Sequence, residues 1–124
     1  MKFIEKNRVL FAVKGGGHSM NPGFSSTIGV HIAMRRFSVT SYHSDSQTVD
    51  VGAGQVWDDV YEALQPYGVT VLGGRVSGVG VAGFTLGGGY GWKSNQYGLT
   101  VDTVLEYEVN DFLFNMKKNH SMQE

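Results

Sequence analysis

Glycine is the feature of this sequence that most constrains its fold, because 18 of the 124 residues are glycine, about twice the usual share of ~7%. Five lie between positions 15 and 29, thirteen lie between positions 52 and 98, and none follows. They keep no three-residue period, only two prolines accompany them, and 41% of the chain is hydrophobic. This composition excludes collagen and low-complexity disorder. A chain of this length is expected to form one domain, with one ligand site or half of one.

Charge, cysteine and histidine exclude several classes of function. The net charge is -1, and the basic residues are scattered, whereas a nucleic-acid groove needs a basic face. The chain has no cysteine and therefore no disulfide, thiolate nucleophile or cysteine zinc site, and its four histidines lack metal-ligand spacing. The longest apolar run has five residues, too few for a membrane span or a signal-peptide core. We expect no metal, nucleic-acid or membrane partner and assign no localisation.

Short strands with glycine loops at their ends dominate the predicted secondary structure. Residues 9–13 are predicted to form a buried strand that stops at Gly15, Gly16 and Gly17. Further strands are predicted at residues 30–32, 37–41, 49–51, 69–72 and 101–109, the last with one acidic face.

One amphipathic helix is predicted at residues 55–65. Val56, Val60 and Leu64 recur at the helical spacing, and Pro66 and Gly68 end the pattern. The fold class is therefore α+β and strand-rich.

Two glycine-rich segments, residues 14–19 and residues 73–94, predict phosphate binding. Backbone N–H groups bind phosphate, and glycine lets the main chain approach closely in left-handed turns. Lys14 lies in the first segment, and Arg75 and Lys93 lie in the second. The alternative is that these cations are solvated beside purely structural turns, but two dense loops in one small chain favour a phosphate site.

Two common nucleotide motifs fit the second segment poorly. Residues 78–83 match G-x-G-x-x-G, and Asp102 lies 19 residues after Gly83, near the acidic position of a Rossmann site. The glycines at residues 87–89 would end the helix that this motif requires, so a Rossmann site is only the minor alternative. A Walker loop fails because Trp92 separates Gly91 from the following lysine.

The same segments, taken in order, resemble FAD-linked oxidoreductases of the vanillyl-alcohol-oxidase type, with their PCMH-type FAD-binding domain, and most of all the berberine-bridge-enzyme-like group. The residues that carry the resemblance are 12–19, 51–54, 57–61, 73–75 and the glycine segment through 97–102. The resemblance implies an incomplete PCMH-type FAD-binding domain at residues 1–109. It also sets apart a divergent C-terminal tail at residues 110–124, which has no glycine or clear period.

An FAD site follows from the resemblance, with the first loop wrapping the pyrophosphate. His18, directly after the three glycines, is the position commonly bonded to the flavin 8α-methyl, and a neutral imidazole is a competent nucleophile toward it. Val76 stands where some members carry a cysteine that makes a second link, so one covalent link is expected. The implied cofactor-binding residues are Lys14, Gly15, Gly16, Gly17, His18, Ser19, Gly74, Val76, Ser77, Gly80, Gly83, Gly87, Gly91 and Val109.

The implied activity is hydride transfer to flavin N5, with electrons passed to an acceptor, expected to be O2. Family members are several times longer and carry a separate substrate domain, so we expect this chain to be a fragment that lacks the substrate site and the catalytic base and is inactive alone. The alternative is a truncated, non-catalytic remnant or an interaction module that binds no flavin. His31 and His43 are expected to be packing or surface residues, and the sequon at residues 119–121 is not assigned as a glycosylation site.

Overall fold

Short helices and four-residue strands make up the regular structure of residues 2–109 and 117–120, the part of the chain that the computed structural model describes. The helices are α1 (Lys2–Asn7), α2 (Trp57–Leu64), α3 (Val81–Leu86) and α4 (Ser94–Tyr97). The strands are β1 (Phe11–Lys14), β2 (Val30–Ala33), β3 (Thr40–His43), β4 (Thr48–Val51), β5 (Glu106–Val109) and β6 (Lys117–His120). None of these helices has the length and apolar character that crossing a membrane requires. The α+β expectation is confirmed.

The described strands pair into three sheets of two strands each. β1 and β2 are parallel, with Lys14 opposite Ala33, whereas β3 with β4 and β5 with β6 are antiparallel. The last residue of β1, Lys14, is also the first residue of the first glycine-rich segment.

Helix α2 forms the centre of the core. Trp57, Val60 and Leu64 are buried on one face of the helix, and Val81 of α3 packs against them. The i, i+3, i+7 spacing of these positions explains why the sequence forms a helix here. Its end is as predicted, because Pro66 lies in a 3-10 turn and Gly68 closes that turn with φ 66°.

A buried glutamine ties the β3–β4 hairpin to the start of this helix. The side-chain amide of Gln55 donates to the carbonyl oxygen of Val39 at 3.0 Å and to Oγ1 of Thr40 at 2.7 Å. Because both acceptors lie at the entry to β3, the hairpin is fixed against the core.

Truncating Leu64 to alanine is expected to lower the free energy of unfolding by about 2–5 kcal/mol, because this fully buried side chain would leave a cavity. Leu86→Ala, on α3, is the matched control: that side chain is 79% exposed and its loss should change the free energy by less than about 0.5 kcal/mol. Urea unfolding followed by circular dichroism measures both. Equal effects of the two substitutions would contradict a core centred on α2.

The burial predicted for the strand at residues 9–13 is wrong. β1 begins at Phe11, and the side chains of Phe11 and Val13 are 43% and 54% exposed. An apolar strand is buried only when further layers cover its sheet, and within the described residues the sheet of β1 contains one other strand, β2. The strand predicted at residues 37–41 begins only at Thr40. A 3-10 turn precedes it at Met34–Arg36, and the N–H of Phe37 closes this turn by donating to the carbonyl oxygen of Met34 at 2.8 Å.

Two further strand predictions are wrong for reasons of packing. Residues 69–72 form no strand; Leu72 is buried, and the chain continues across the ring of Trp57. Thr100–Thr103 is a 3-10 turn, because Oδ2 of Asp102 accepts the N–H of Leu99 at 2.7 Å, so only the end of the predicted strand at residues 101–109 remains, as β5. Residues 110–116 and 121–124 of the predicted tail, which include the serine of the sequon, lie outside the described residues.

Candidate functional site

The two glycine-rich segments meet backbone to backbone. A Cβ placed on Gly16 would lie 2.6 Å from Cα of Gly80 and 2.8 Å from its nitrogen, closer than real Cβ atoms approach other heavy atoms. A Cβ placed on Gly15 would make ordinary contact, 3.4 Å from Cβ of Ala82. Only a residue without a side chain therefore lets the first segment lie against the start of α3.

The first segment presents backbone donors in a left-handed turn. Gly17 has φ 78°. Across residues 2–109 and 117–120, no intramolecular hydrogen bond uses the backbone N–H groups of residues 15–19 or of Gly80 as donors. Successive N–H groups around a left-handed residue form a concave site for an anion.

Two of the predicted side chains border this turn. The stem of Lys14 lies over Gly17, since a Cβ built on Gly17 would meet Cε of Lys14 at 2.3 Å and Nζ at 3.1 Å. His18 is exposed, and its Cδ2 lies 3.8 Å from the position of a Cβ on Gly78. The structure thus places a cation and an accessible imidazole where the two segments approach each other.

Helix α2 holds the second segment in place. Gly73 and Gly74 pack on the indole of Trp57, where a Cβ on Gly73 would fall 2.2 Å from a ring carbon. The Tyr61 hydroxyl donates to the carbonyl oxygen of Gly74 at 2.8 Å. Burial raises the pKa of Tyr61, and the charge of Asp58 raises it further, so this hydroxyl remains a donor at neutral pH.

A carboxylate of the same helix binds the turn beside His18. Oδ2 of Asp58 accepts the backbone N–H of Gly78 at 2.8 Å. This hydrogen bond, and a second one from the Ser77 side chain, lower the pKa of Asp58. The carboxyl group is therefore ionised at neutral pH.

A cleft of about 180 Å³ opens beside these contacts, bounded by Trp57, Arg75 and Trp92 among others. The guanidinium of Arg75 lies over two aromatic rings, 5.0 Å from the centroid of Tyr90 and 5.4 Å from that of Trp92. A larger hollow of about 280 Å³ lies between α1 and β1 and contains none of the predicted site residues. The cleft of about 180 Å³ is therefore the one that belongs to the candidate site, because predicted site residues line it.

The other predicted site residues have different surroundings and do not all lie at the contact between Gly16 and Gly80. Gly83 faces open space on α3, and Gly87 ends that helix. Gly91 packs against the backbone of residue 73, whereas Val76 is 58% exposed. Val109 lies on β5 and pairs with β6. Within the described residues, no hydrogen bond links Val109 to either glycine segment.

Two residues of the site were not predicted. Asp58 and Tyr61 reach the second segment across the core, and in the sequence they are an ordinary acidic and an ordinary aromatic residue of an amphipathic helix. The helix prediction places both on α2, but only the tertiary contact shows which face meets the glycine segment.

The Rossmann alternative is wrong. Helix α3 does begin after Gly80, as G-x-G-x-x-G requires, but it ends after six residues and no strand leads into it in the described chain. Among the described residues, no cluster of three or more histidine or acidic side chains is arranged to hold a metal ion.

Comparison with known proteins identifies relatives over most of the chain. The FAD binding domain family matches residues 1–111. An FAD-dependent monooxygenase of Penicillium terrestre is 47% identical over 103 residues, covering 80% of this chain and 20% of its own length. An FAD-dependent monooxygenase of Aspergillus niger is 46% identical over 101 residues, covering 80% of this chain and 17% of its own length. The chain thus spans about a fifth of the length of these curated relatives.

Solved structures agree with the sequence comparison. The BBE-like 1 protein of Physcomitrella patens is 32% identical with a TM-score of 0.84, covering 94% of this chain and 26% of its own. The glucooligosaccharide oxidase of Acremonium strictum, which carries a 6-S-cysteinyl, 8α-N1-histidyl FAD, is 26% identical with a TM-score of 0.79, covering 94% of this chain and 25% of its own. The resemblance to PCMH-type, berberine-bridge-enzyme-like flavoproteins is confirmed, and the chain belongs to the FAD binding domain family.

Proposed function

We propose that this chain is the FAD-holding part of a flavin-dependent oxidoreductase, in which residues 14–19 and 73–91 bind the FAD diphosphate and the groups next to it. The observation that carries the proposal is the contact of Gly16 with Gly80, beside a run of backbone N–H groups that donate to no acceptor in the described part of the chain. The FAD-dependent monooxygenases among the relatives support the reaction class.

The donor set fits a diphosphate. Backbone N–H groups along residues 15–19 supply neutral donors, Gly17 supplies the left-handed turn, and Lys14 supplies a positive charge above it. Ser19 accepts the N–H of Asn21 at 3.3 Å, which turns the chain away just after His18. An anion that meets several oriented donors and one cation is held without a dedicated side chain for each oxygen.

His18 is the residue we propose for the single covalent link to the flavin. It is the exposed imidazole that follows the three glycines and lies beside Gly78. The histidyl link of the glucooligosaccharide oxidase supports this assignment. Val76 occupies the proposed position of the second link and has no sulfur, so a cysteinyl link is not proposed.

Bound FAD would supply the redox chemistry, by accepting a hydride at N5 and delivering electrons to an acceptor that we propose to be O2. The residues of this chain bind the diphosphate and orient the cofactor through His18. We assign no catalytic base among them and expect no turnover of alcohols, sugars or phenolics by this chain alone. That the substrate is a small molecule is a prediction. That the FAD-binding domain ends at residue 109 is a second one.

Retention of flavin by the purified chain tests the proposal. After incubation with FAD and gel filtration, we expect yellow protein whose flavin absorbance elutes with the polypeptide. Circular dichroism on the same fractions establishes that the chain is folded. A folded chain that elutes colourless would instead favour the non-catalytic interaction module.

A further inference from the structure

The turn at Gly78 lies beside His18 and is held there by the side chain of Asp58. Gly78 has φ 80°, and its N–H donates to Oδ2 of Asp58 at 2.8 Å across 20 positions of sequence. We propose that Asp58 is a positioning residue of the FAD site, which holds the turn of Ser77 and Gly78 against His18 and so fixes the spacing of the two glycine segments. This inference rests on the proposed function.

The hydrogen bond of Asp58 extends a short backbone ladder. The N–H of Val81 donates to the carbonyl oxygen of Gln55 at 2.9 Å, and the N–H of Trp57 donates to the carbonyl oxygen of Val79 at 3.0 Å. These two bonds fix residues 79–81, including the glycine that touches the first segment. Asp58 adds the next link of the ladder, at Gly78, where a Cβ would lie 3.8 Å from Cδ2 of His18.

Few other contacts from the described residues hold the turn. Within it, the N–H of Val79 donates to the carbonyl oxygen of Val76 at 3.4 Å, a long hydrogen bond. Both Ser77 and Gly78 are exposed, so burial does not fix them. A charged acceptor makes a stronger hydrogen bond than a neutral one. The carboxylate of Asp58 is therefore the main restraint on the end of the turn that faces the imidazole.

The charge of Asp58 gives this restraint a defined pH range. The Gly78 N–H and then the Ser77 side chain lower the pKa of Asp58 below 3.8. A lowered folded-state pKa means that the interaction is complete above the pKa of the unfolded chain and is lost as the pH falls through the folded-state pKa. The charged and titratable groups nearby are Asp59 and Tyr61 on the same helix, Arg75 in the adjoining cleft and His18 beside the turn.

Three variants separate this role from a general effect of charge. Asp58→Ala removes the acceptor, Asp58→Asn keeps a neutral acceptor, and Asp59→Ala is the matched control. Asp59 is the next residue in the same first helical turn, is likewise exposed, and accepts no hydrogen bond from the described residues. Asp58→Ala is expected to speed hydrogen exchange of the Gly78 amide and to weaken the noncovalent binding of FAD, which precedes the proposed link, each by about tenfold or more. Asp58→Asn should fall between, and Asp59→Ala should match the parent chain.

A pH titration of the parent chain supplies a readout that does not depend on how Asp58→Ala folds. In the parent chain the Gly78 amide resonance should titrate with a midpoint below pH 3.8, and in Asp58→Asn this titration should be absent. A Gly78 resonance that does not titrate in the parent chain overturns the inference even if Asp58→Ala fails to fold.

The outcomes distinguish this inference from the proposed function. A folded parent chain that retains no FAD overturns the proposed function and this inference with it. If the parent chain retains FAD and Asp58→Ala binds it equally well, only the positioning role of Asp58 is overturned. Equal losses of FAD affinity in Asp58→Ala and Asp59→Ala would also overturn it, because they would indicate a general effect of charge.

Discussion

Flavin retention should be abolished when Gly16 is replaced by valine. A Cβ at this position would lie 2.6 Å from Cα and 2.8 Å from the nitrogen of Gly80. Both atoms are backbone, and the second segment is held from behind by α2, so no flexible side chain can give way. The two segments must separate, and the donors along residues 15–19 would no longer surround a diphosphate. Flavin absorbance of the protein peak after gel filtration measures the loss.

Gly15→Ala is the control for Gly16→Val, because it adds a side chain to the neighbouring glycine without a clash against the backbone of Gly80. An alanine Cβ at Gly15 would lie 3.4 Å from Cβ of Ala82 and 3.6 Å from the carbonyl oxygen of Ala53, which is ordinary packing. This variant should therefore keep the circular dichroism spectrum and thermal transition of the parent chain. A folded Gly16→Val chain that stays as yellow as the parent would remove the first glycine segment from the proposed site.

The first glycine segment was predictable because its determinants are local. An apolar strand precedes it, and consecutive glycines at residues 15–17 leave few alternatives to a tight turn. The order of this turn and the second glycine segment also carried the family resemblance. Sequence alone did not show that Gly16 and Gly80 touch, because that contact joins residues 64 positions apart.

Elements that depend on tertiary contacts were harder to predict. The alternating pattern after residue 100 favours a strand, but the side chain of Asp102 caps a 3-10 turn there, and the N–H of Thr100 donates to the carbonyl oxygen of Gly89 at 2.8 Å. Helix α3 was not predicted, because the glycines around it disfavour a helix. It forms because Val81 and Thr85 are buried. In each case a contact from outside the segment overrides its local pattern.

Replacing His18 with alanine should remove the covalent link that we propose between this residue and the flavin. The imidazole is exposed and stands at the junction of the two segments, 3.8 Å from the position of a Cβ on Gly78. The chain has no cysteine, so a cysteinyl link cannot replace the histidyl one. When the flavin-loaded protein is precipitated with acid, flavin should stay in the pellet for the parent chain and appear in the supernatant for His18→Ala.

His31→Ala is the control for that experiment, because His31 is also exposed but lies on β2, outside the proposed site. Its pellet should hold as much flavin as that of the parent chain. A parent pellet without flavin would limit the site to noncovalent binding, and a yellow His18→Ala pellet would assign the link to another residue. The contact of Gly16 with Gly80 and the proposed covalent link can therefore be tested separately. The Gly16 variant tests whether the cofactor is held, and the His18 variant tests how it is attached.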